Sequence, residues 1–503
     1  MMRSIRAKKV LYRYIAVATT MNATIRILPQ ETIGTISPLL HGHFAEHLGR
    51  CCYDGLWSSN GMPRPQVVAA LRRIGVPILR WPGGCYADFY HWRDGIGPAA
   101  QRPLRYAESC GERVLDNNQI GTHEFIALCE AIGAEPYLAG NMGSGTVQEL
   151  ADWVDYCNGT FDTTLTRERT TNGHAAPMNV KYWGIGNESW GCGGNYDPVH
   201  YAHEYRRYAT MVKRTDPTTE LVAVGHDRNR RDWNMRVIET LRDHLDLVQH
   251  LSLHRYWGAG EALDASDEAY YRLQNGAQLI DGDIQEAKTV IEYFTSSSRR
   301  PNQRVRIAFD EWGVWHAEAR LDVKFEAPST WRDALSAAAA LDVFHSHCDS
   351  VSMANLAQIA NVLQPLIYTD GDAVRVTPTG EVFALYTAHR GATAVRIAVE
   401  ECPERELPAS RGEPVFAATQ PPARLPYLSA TASRANGRIT LTLTNRHRNE
   451  PLAVRVRDLA AARLQQLTAV NTEATQTSLS TAAHNGDTVV LPAASVTSLT
   501  FTE

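Results

Sequence analysis

The chain has 503 residues, of which 44% are apolar and 21% are charged, and its formal net charge is −5. This is an ordinary globular composition, and the length predicts one large domain accompanied by a smaller one. The sequence contains no block of basic residues, so we expect no nucleic-acid partner. No apolar run approaches the roughly 18 residues of a membrane-spanning helix, so we expect no membrane association.

The cysteines and the N-terminus bear on the cellular compartment. Nine cysteines are present, an odd number without a Cys-x-x-Cys pair and at a density far below that of a disulfide scaffold. We therefore expect reduced thiols and a cytoplasmic protein. Basic residues precede residues 10–20, but Tyr12, Arg13 and Tyr14 interrupt the apolar stretch that a signal peptide needs. Residues 1–21 are interpreted as an N-terminal extension, and secretion or a periplasmic location is the less favoured alternative.

Eight apolar runs of strand length alternate with segments of helical periodicity. The predicted strands are 39–46, 77–82, 135–141, 180–188, 221–225, 248–256, 305–311 and 350–356. Helices are predicted near 67–74, 125–132, 147–157, 199–213, 233–246, 284–294 and 331–345. Eight β-α units in succession are typical of an α/β fold of the (β/α)₈ TIM-barrel type, which we place at residues 39–388.

The pattern of apolar and polar residues changes after the barrel, from helical to strand-like periodicity. Residues 437–447 (GRITLTLTNRH) alternate with a period of two, and residues 487–503 also resemble strands. Residues 389–503 are therefore predicted to form a C-terminal all-β sandwich, jelly-roll-like in type. The segment 22–38 contains the strand-like ATIRIL (23–28) and is expected to join this sandwich.

Two glutamates end strands that lie almost opposite each other in an eight-membered ring. Glu188 ends the fourth predicted strand and Glu311 ends the seventh, and the carboxyl ends of barrel strands are where catalytic groups lie. A carboxylate resists burial unless it has a partner or a function. Glycoside hydrolysis requires two carboxyl groups, an acid for the leaving oxygen and a nucleophile for the anomeric carbon. The simpler alternative is that both are rim residues in salt bridges.

The neighbours of these glutamates suit such a site. Asn187 can hold a sugar hydroxyl beside Glu188. His254 and Tyr256 end the sixth strand, next to the seventh, so the Tyr256 hydroxyl is expected to donate to Glu311 and keep it ionised. Candidates for stacking against sugar rings are Trp81, Trp183, Trp190, Trp257 and Trp312.

Six motifs, in this order along the chain, resemble glycoside hydrolase family 51, which consists mainly of α-L-arabinofuranosidases. They are HGHFAEHLGRCCYDGLW (41–57), LRWPGGCYADFYHWRDGIGP (79–98), NNQIGTHEF (117–125), GAEPYLAGNMGSGTVQELADWVDY (133–156), KYWGIGNESWGCGGN (181–195) and FDEWGVW (309–315). The resemblance runs from about residue 25 through the barrel and continues more faintly into the β domain.

The resemblance implies a role for individual residues. It makes Glu188 the acid/base and Glu311 the nucleophile of a retaining double displacement. The sugar contacts that it implies come from Glu46, Cys85, Asn118, Asn187, Tyr256 and Gln364, with Gln358 as an alternative to Gln364. Trp190 is a further candidate for a sugar contact, and His254 and Trp312 are expected to support the site.

Simpler interpretations remain open for several of these residues. Cys85 fits a small buried thiol, and Glu46 fits a buried partner of Arg80 or His43. Tyr106 and Asn117 stand where many family members have Trp and Glu, which leaves the linkage preference open. Residues 258–283 fit a lid, an acceptor wall or a solvated loop equally well.

The resemblance implies an exo-acting enzyme that releases arabinose from arabinose-containing hemicellulose or pectin oligosaccharides. It implies no metal and no organic cofactor, and a homo-oligomer that is often a hexamer. An endo-β-1,4-glucanase or a β-xylosidase of the same family is the nearest alternative. A metal-dependent barrel hydrolase would use His41, His43, His226 and His254 as ligands, and a sugar-binding barrel without catalysis is the non-enzymatic alternative.

Overall fold

The computed structural model describes residues 21–58, 60–226, 232–296, 304–410 and 421–502. The predicted N-terminal extension lies outside these residues, except for Met21. The first part of the chain contains β1 (Met21–Thr35), β2 (Gly42–Phe44), α1 (Pro65–Ile74), β3 (Ile78–Trp81), β4 (Arg105–Ser109), β5 (Glu112–Asp116) and α2 (Thr122–Ile132). The middle part contains β6 (Glu135–Gly140), α3 (Val147–Asn158), α4 (Thr164–Thr171), β7 (Tyr182–Ile185), α5 (Pro198–Thr215), β8 (Glu220–Ala223), α6 (Asp232–Leu241) and β9 (His250–Trp257).

The remaining elements complete the barrel and form the β domain. They are α7 (Asp267–Gln274), α8 (Gly276–Ser296), β10 (Arg306–Val314), α9 (Trp331–Ser346), β11 (Val351–Ala357), β12 (Ile367–Asp370), β13 (Ala373–Val376) and α10 (Pro378–Tyr386), followed by β14 (Thr393–Glu400), β15 (Glu404–Leu407), β16 (Ala423–Pro426), β17 (Leu428–Ala435), β18 (Arg438–Asn445), β19 (Leu452–Val456), β20 (Ala461–Thr468), β21 (Ser478–Asn485), β22 (Thr488–Leu491) and β23 (Ser495–Thr502).

Eight parallel strands close into a barrel in the order β2-β3-β6-β7-β8-β9-β10-β11. The predicted (β/α)₈ barrel is therefore confirmed, and each of its strands overlaps one of the eight predicted segments. Helices α4, α7 and α10 were not among the predicted helices. Among the described residues, none of the helices has the length and apolarity needed to cross a bilayer.

Helix α1 shows how local sequence sets these elements. Val67, Leu71 and Ile74 are buried at helical spacing, which places them on one face of the helix. Pro65 occupies the first turn, where its missing N–H costs no hydrogen bond. Gly75 ends the helix at a φ of 75°, a left-handed conformation that glycine adopts without strain.

The barrel interior changes from apolar to charged along its axis. One layer consists of Ile78, Tyr137, Tyr182, Val222, Ala308 and Met353. Strand residues two apart point to the same side, so Arg80 follows Ile78 into the interior and Asp310 follows Ala308. A charged layer therefore lies directly above the apolar one, toward the carboxyl ends of the strands.

The β domain is built on a nine-stranded sheet in the order β21-β20-β23-β18-β17-β14-β1-β19-β22. Strand β1 lies between β14, to which it is antiparallel, and β19, to which it is parallel. Leu441 and Leu499 share one apolar core with Val454 and Leu491 from the other end of the sheet. The sheet therefore folds over on itself, as expected for the predicted sandwich.

Helices α7 and α9 join the barrel to the β domain. The Tyr270 hydroxyl donates to the Arg446 carbonyl at 3.1 Å, and the Trp331 indole N–H donates to the Ala494 carbonyl at 2.6 Å. The Ser429 hydroxyl donates to Asp342 at 2.6 Å. Residues 267–274, for which sequence left a lid, an acceptor wall and a solvated loop open, thus form a helix that is anchored on the β domain.

Candidate active site

Glu311 lies within β10 and is held through both of its carboxylate oxygens. The Tyr256 hydroxyl donates to Oε1 at 2.7 Å, and Arg80 Nη1 donates to Oε2 at 2.9 Å. The contact with Tyr256 is the one that strand adjacency predicts, since β9 pairs with β10. Only 9% of the Glu311 side chain is exposed, so these two donors supply much of what water would otherwise provide.

Glu188 follows β7 and faces Glu311. Its φ is 40°, a left-handed conformation that non-glycine residues seldom adopt. His254 Nδ1 lies 2.8 Å from Glu188 Oε1 and 3.6 Å from Glu311 Oε2. One carboxylate oxygen of each glutamate and a ring nitrogen of His254 lie within 4.8 Å of one another. The two carboxyl groups therefore share one small space, as a double displacement by two carboxyl groups requires.

Arg80 is the buried cation of this site. Besides Glu311, its guanidinium donates to Asn187 Oδ1 at 2.6 Å, and its Nε lies 3.5 Å from Asp310 Oδ2. Burial would lower the pKa of Arg80, but the charges of Asp310 and Glu311 outweigh burial and raise it. Arg80 therefore stays charged and links β3 to β10, which carries Glu311, and to Asn187, which directly precedes Glu188.

Asp310 and His254 form a second charged pair. Asp310 accepts hydrogen bonds from Tyr137 at 2.7 Å and from Ser252 at 2.6 Å. Burial opposes ionisation of Asp310, but Arg80 and His254 outweigh it and hold the pKa of Asp310 below its usual value. Burial likewise opposes a charged His254, yet Glu311, Asp310 and Glu188 raise its pKa to about 10. His254 is therefore an imidazolium at neutral pH.

Glu46 is a third carboxyl group beside Glu311. It accepts from the Ser109 hydroxyl at 2.7 Å and from the Tyr86 N–H at 3.1 Å. Burial and the nearby charge of Glu311 raise the pKa of Glu46 to about 7. These contacts replace the predicted alternatives, in which Arg80 or His43 is the partner of Glu46.

Gly84 allows this close approach. A Cβ at Gly84 would lie 3.2 Å from Glu46 Oε2 and 3.4 Å from Glu311 Oε2, and one at Gly83 would lie 2.7 Å from Glu46 Cγ. Side chains at these positions would press against both carboxyl groups, which is the physical reason for the Gly-Gly pair after Trp81-Pro82.

Cys85 and Cys192 form a disulfide. The prediction that all cysteines are reduced thiols is therefore wrong for this pair, because the fold brings the turn after β3 against the loop after β7. Both sulfur atoms lie within 4.8 Å of a Glu188 carboxylate oxygen. Cys85 thus lies at the site, as the resemblance implies, but its sulfur is bonded to Cys192 and is not a thiol.

Three other predicted residues have different contacts. The Gln364 side chain accepts from the Val314 N–H at 2.8 Å through Oε1 and donates to the Asp333 carbonyl at 2.9 Å through Nε2. Gln358, the alternative residue, lies against Glu46, whose N–H it accepts at 3.2 Å. Asn118 donates to the Pro103 carbonyl at 2.8 Å, at the base of the β4–β5 hairpin.

Four of the five candidate tryptophans are closed off from any sugar. Trp81, Trp183, Trp257 and Trp312 are completely buried, and the rings of Trp257 and Trp312 stack on each other. Their ring faces pack against other side chains in the core, so the predicted stacking on sugar rings is wrong for these four residues. Trp190 is half-buried and donates to the Gly225 carbonyl at 3.0 Å.

Sequence reasoning assigned no role in the site to Arg80 as the central cation, or to Asp310, Ser109 and Cys192. A signal existed for Arg80, a charged residue inside the apolar run PILRWP, and for Asp310, which directly precedes Glu311. Nothing in the sequence identified Ser109, whose hairpin was not predicted, or the pairing of Cys192 with Cys85.

The described residues contain two groups that could hold a metal ion, Cys85-Glu188-Cys192 and Glu188-His254-Glu311. The second group includes His254, but neither includes His41, His43 or His226, the other three ligands predicted for a metal-dependent hydrolase. His41 instead lies 2.9 Å from the His345 ring and accepts from Arg390. The first group is a disulfide, and the His254 nitrogen of the second already shares a hydrogen bond with Glu188.

A parallel barrel with two facing carboxyl groups at the ends of its strands is the arrangement of a retaining glycoside hydrolase. Comparison with known proteins identifies the kind of glycoside hydrolase. Residues 70–272 match the family model described as "Alpha-L-arabinofuranosidase 1 domain", and residues 310–499 match "Alpha-L-arabinofuranosidase C-terminal domain".

Individual relatives agree with these models. An intracellular exo-α-L-arabinofuranosidase of Bacteroides ovatus is 36% identical over 86% of this chain and 83% of its own length. The crystal structure of the family 51 arabinofuranosidase from Xanthomonas axonopodis pv. citri is 32% identical, with a TM-score of 0.81 over 95% of this chain and 99% of that one. The family 51 α-L-arabinofuranosidase of Thermotoga petrophila is 31% identical, with a TM-score of 0.84 over 95% and 100% of the two chains. The chain belongs to the α-L-arabinofuranosidases of glycoside hydrolase family 51.

Replacing Arg80 by Met should destabilise the protein by about 3–5 kcal/mol, because Asp310 and Glu311 would be left as uncompensated buried charges. Arg50→Met is the matched control, since Arg50 pairs with Glu326 while 35% of its side chain is exposed. A pair of that kind is worth about 0–1 kcal/mol. Denaturant unfolding of both variants measures the difference, and equal losses would show that Arg80 has no special role.

The charge of His254 should make stability depend on pH. The pKa of His254 is about 10 in the folded protein and about 6.5 in an unfolded chain. Its stabilising contribution is therefore complete below pH about 6.5 and is lost as the pH rises toward about 10. We expect the difference in unfolding free energy between wild type and His254→Gln to shrink by at least about 1.4 kcal/mol, the equivalent of one pKa unit, from pH 7 to pH 10. A difference that does not vary with pH would contradict this charge state.

Proposed function

We propose that the protein is an exo-acting, retaining α-L-arabinofuranosidase in which Glu311 is the nucleophile and Glu188 is the acid/base. The observation that supports this most directly is the convergence of one oxygen from each carboxylate, with a His254 nitrogen, within 4.8 Å. The substrates would be arabinose-containing oligosaccharides from hemicellulose or pectin.

The contacts of Glu311 suit attack on the anomeric carbon. Arg80 and Tyr256 each hold one of its oxygens, so the carboxylate is oriented before substrate arrives. Each oxygen keeps a second lone pair, since a carboxylate offers about four acceptor sites. Attack would give a glycosyl ester, and water would then release arabinose with its configuration retained.

The contacts of Glu188 suit transfer of a proton. His254 and Glu188 share a hydrogen bond of 2.8 Å, and this pair carries the proton that Glu188 would pass to the leaving oxygen. In the second step Glu188 would take a proton from the attacking water. Asn187, held by Arg80 at 2.6 Å, and Glu46 are placed to bind sugar hydroxyls. Cys85, Trp190, Asn118 and Gln364 remain predicted sugar contacts.

The cellular setting is also a proposal. The relative from Bacteroides ovatus is named an intracellular enzyme, which supports a cytoplasmic location. The family resemblance supports a homo-oligomer, and the mass in solution relative to the 55.8 kDa chain tests it.

Substrate class is tested by a panel of aryl α-L-arabinofuranoside, β-xyloside and β-glucoside. We expect kcat/KM to be highest for the arabinofuranoside, and arabino-oligosaccharides to release arabinose alone. A preference for the xyloside or the glucoside would replace the proposed substrate, and internal cleavage would overturn exo action.

The roles of the two glutamates are tested with Ala variants and aryl arabinofuranosides of differing leaving groups. Glu311→Ala should be folded and nearly inactive on all of them. Glu188→Ala should lose about 10²–10⁴-fold in kcat/KM on poor leaving groups and much less on good ones, which need no proton in the first step. Azide should restore turnover of Glu188→Ala and give a glycosyl azide of retained configuration. Equal losses of Glu188→Ala on good and poor leaving groups would refute the acid/base role.

A further inference from the structure

We propose that the Cys85–Cys192 disulfide positions Glu188 for proton transfer, so that the redox state of this pair controls the proton transfers of the reaction, an inference that rests on the acid/base function proposed for Glu188. The disulfide joins two segments that lie 107 residues apart. One is the turn Cys85–Asp88 after β3, and the other is the loop 188–195 after β7. The cross-link therefore lies beside the group that moves the proton.

The backbone of the loop connects Cys192 to Glu188. The Gly191 N–H donates to the Glu188 carbonyl at 2.7 Å, and the Gly193 N–H donates to the same carbonyl at 3.3 Å. Cys192 lies between these two donors. Glu188 has a φ of 40°, which a non-glycine residue keeps only where its surroundings enforce it. A covalent anchor at Cys192 thus acts on the peptide that sets the direction of the Glu188 side chain.

A second contact docks the same loop on the same turn. A Cβ at Gly193 would lie 2.7 Å from Asp88 Oδ2, so the loop passes directly over Asp88. Asp88 in turn accepts from the Met142 and Gly143 N–H groups at 2.9 and 2.8 Å. The loop also keeps the hydrogen bond from Trp190 to Gly225. Because these contacts do not depend on the disulfide, its cleavage should loosen the loop without unfolding it.

The bridge is open to reaction with thiols. Cys192 is exposed and Cys85 is half-buried. The thiolate of a dithiol attacks Cys192 Sγ, the disulfide breaks, and Cys85 leaves as a thiolate that takes up a proton. The second thiol of the reductant then displaces Cys192, so that two thiols form on the protein while the dithiol becomes a disulfide. A glutathione disulfide oxidant supplies the reverse reaction.

The test uses the full-length protein, oxidised with glutathione disulfide or reduced with dithiothreitol, with the thiols counted by mass spectrometry. Reduction should lower kcat/KM on a poor leaving group on the order of tenfold, since small misplacements of a catalytic group are costly. With a good leaving group kcat/KM, which reports only the first step, should change less than threefold, because that step then needs no proton. Cys192→Ser should have the rate constants of reduced wild type, and dithiothreitol should not change them. Cys402→Ser, which removes a free cysteine of the β domain, should behave like wild type.

Three results would overturn the positioning role. One is equal kcat/KM on the poor leaving group once thiol counting shows that the pair has changed state. Another is an equal loss on both leaving groups, and the third is failure of the pair to oxidise. Glu188→Ala, assayed with the same substrates, separates the two levels of inference. If the loss of activity depends on the leaving group in Glu188→Ala but not after reduction of wild type, only the role of the disulfide is overturned. If the loss in Glu188→Ala does not depend on the leaving group, the acid/base assignment is overturned, and the role of the disulfide with it.

Discussion

The guanidinium of Arg80 is the contact on which the rest of this barrel mouth depends. Several carboxyl groups face each other at the ends of the strands, and without a buried cation they would repel one another or take up protons. Arg80 bonds Glu311 and Asn187 and lies against Asp310. It therefore connects three strand ends, β3, β7 and β10, through one planar group with fixed donor directions.

The charges around Arg80 give each acid a different state in one small volume. Asp310 stays ionised between Arg80 and His254, and His254 is kept as a cation by the carboxylates around it. Glu46, whose pKa is raised to about 7, is more easily protonated near neutral pH than Asp310. Environment, and not residue type, thus gives these carboxyl groups different protonation behaviour within one site.

The site is precise because rigid elements hold one glutamate and a tethered loop holds the other. Glu311 lies inside a strand, with hydrogen-bonded neighbours on both sides. Glu188 lies on a loop, in an unusual backbone conformation, with the disulfide and His254 beside it. The glycines at 83, 84 and 193 remove the side chains that would keep these segments apart. Glu311 is therefore positioned by the fold, whereas Glu188 is positioned by contacts added to the fold.

The sequence by itself determined the barrel, the β domain and the two facing glutamates, since periodicity and order along the chain carry that information. It also determined that Tyr256 bonds Glu311, because the sixth and seventh strands are neighbours in any such barrel. Only the tertiary structure decided that Arg80 reaches Asp310 across 230 residues of sequence, that Cys85 bonds Cys192, and that four of the candidate tryptophans are buried. The physical reason is that closing the barrel brings side chains together across its axis. These distances depend on how strands tilt and loops turn, which leaves no periodic trace in the chain.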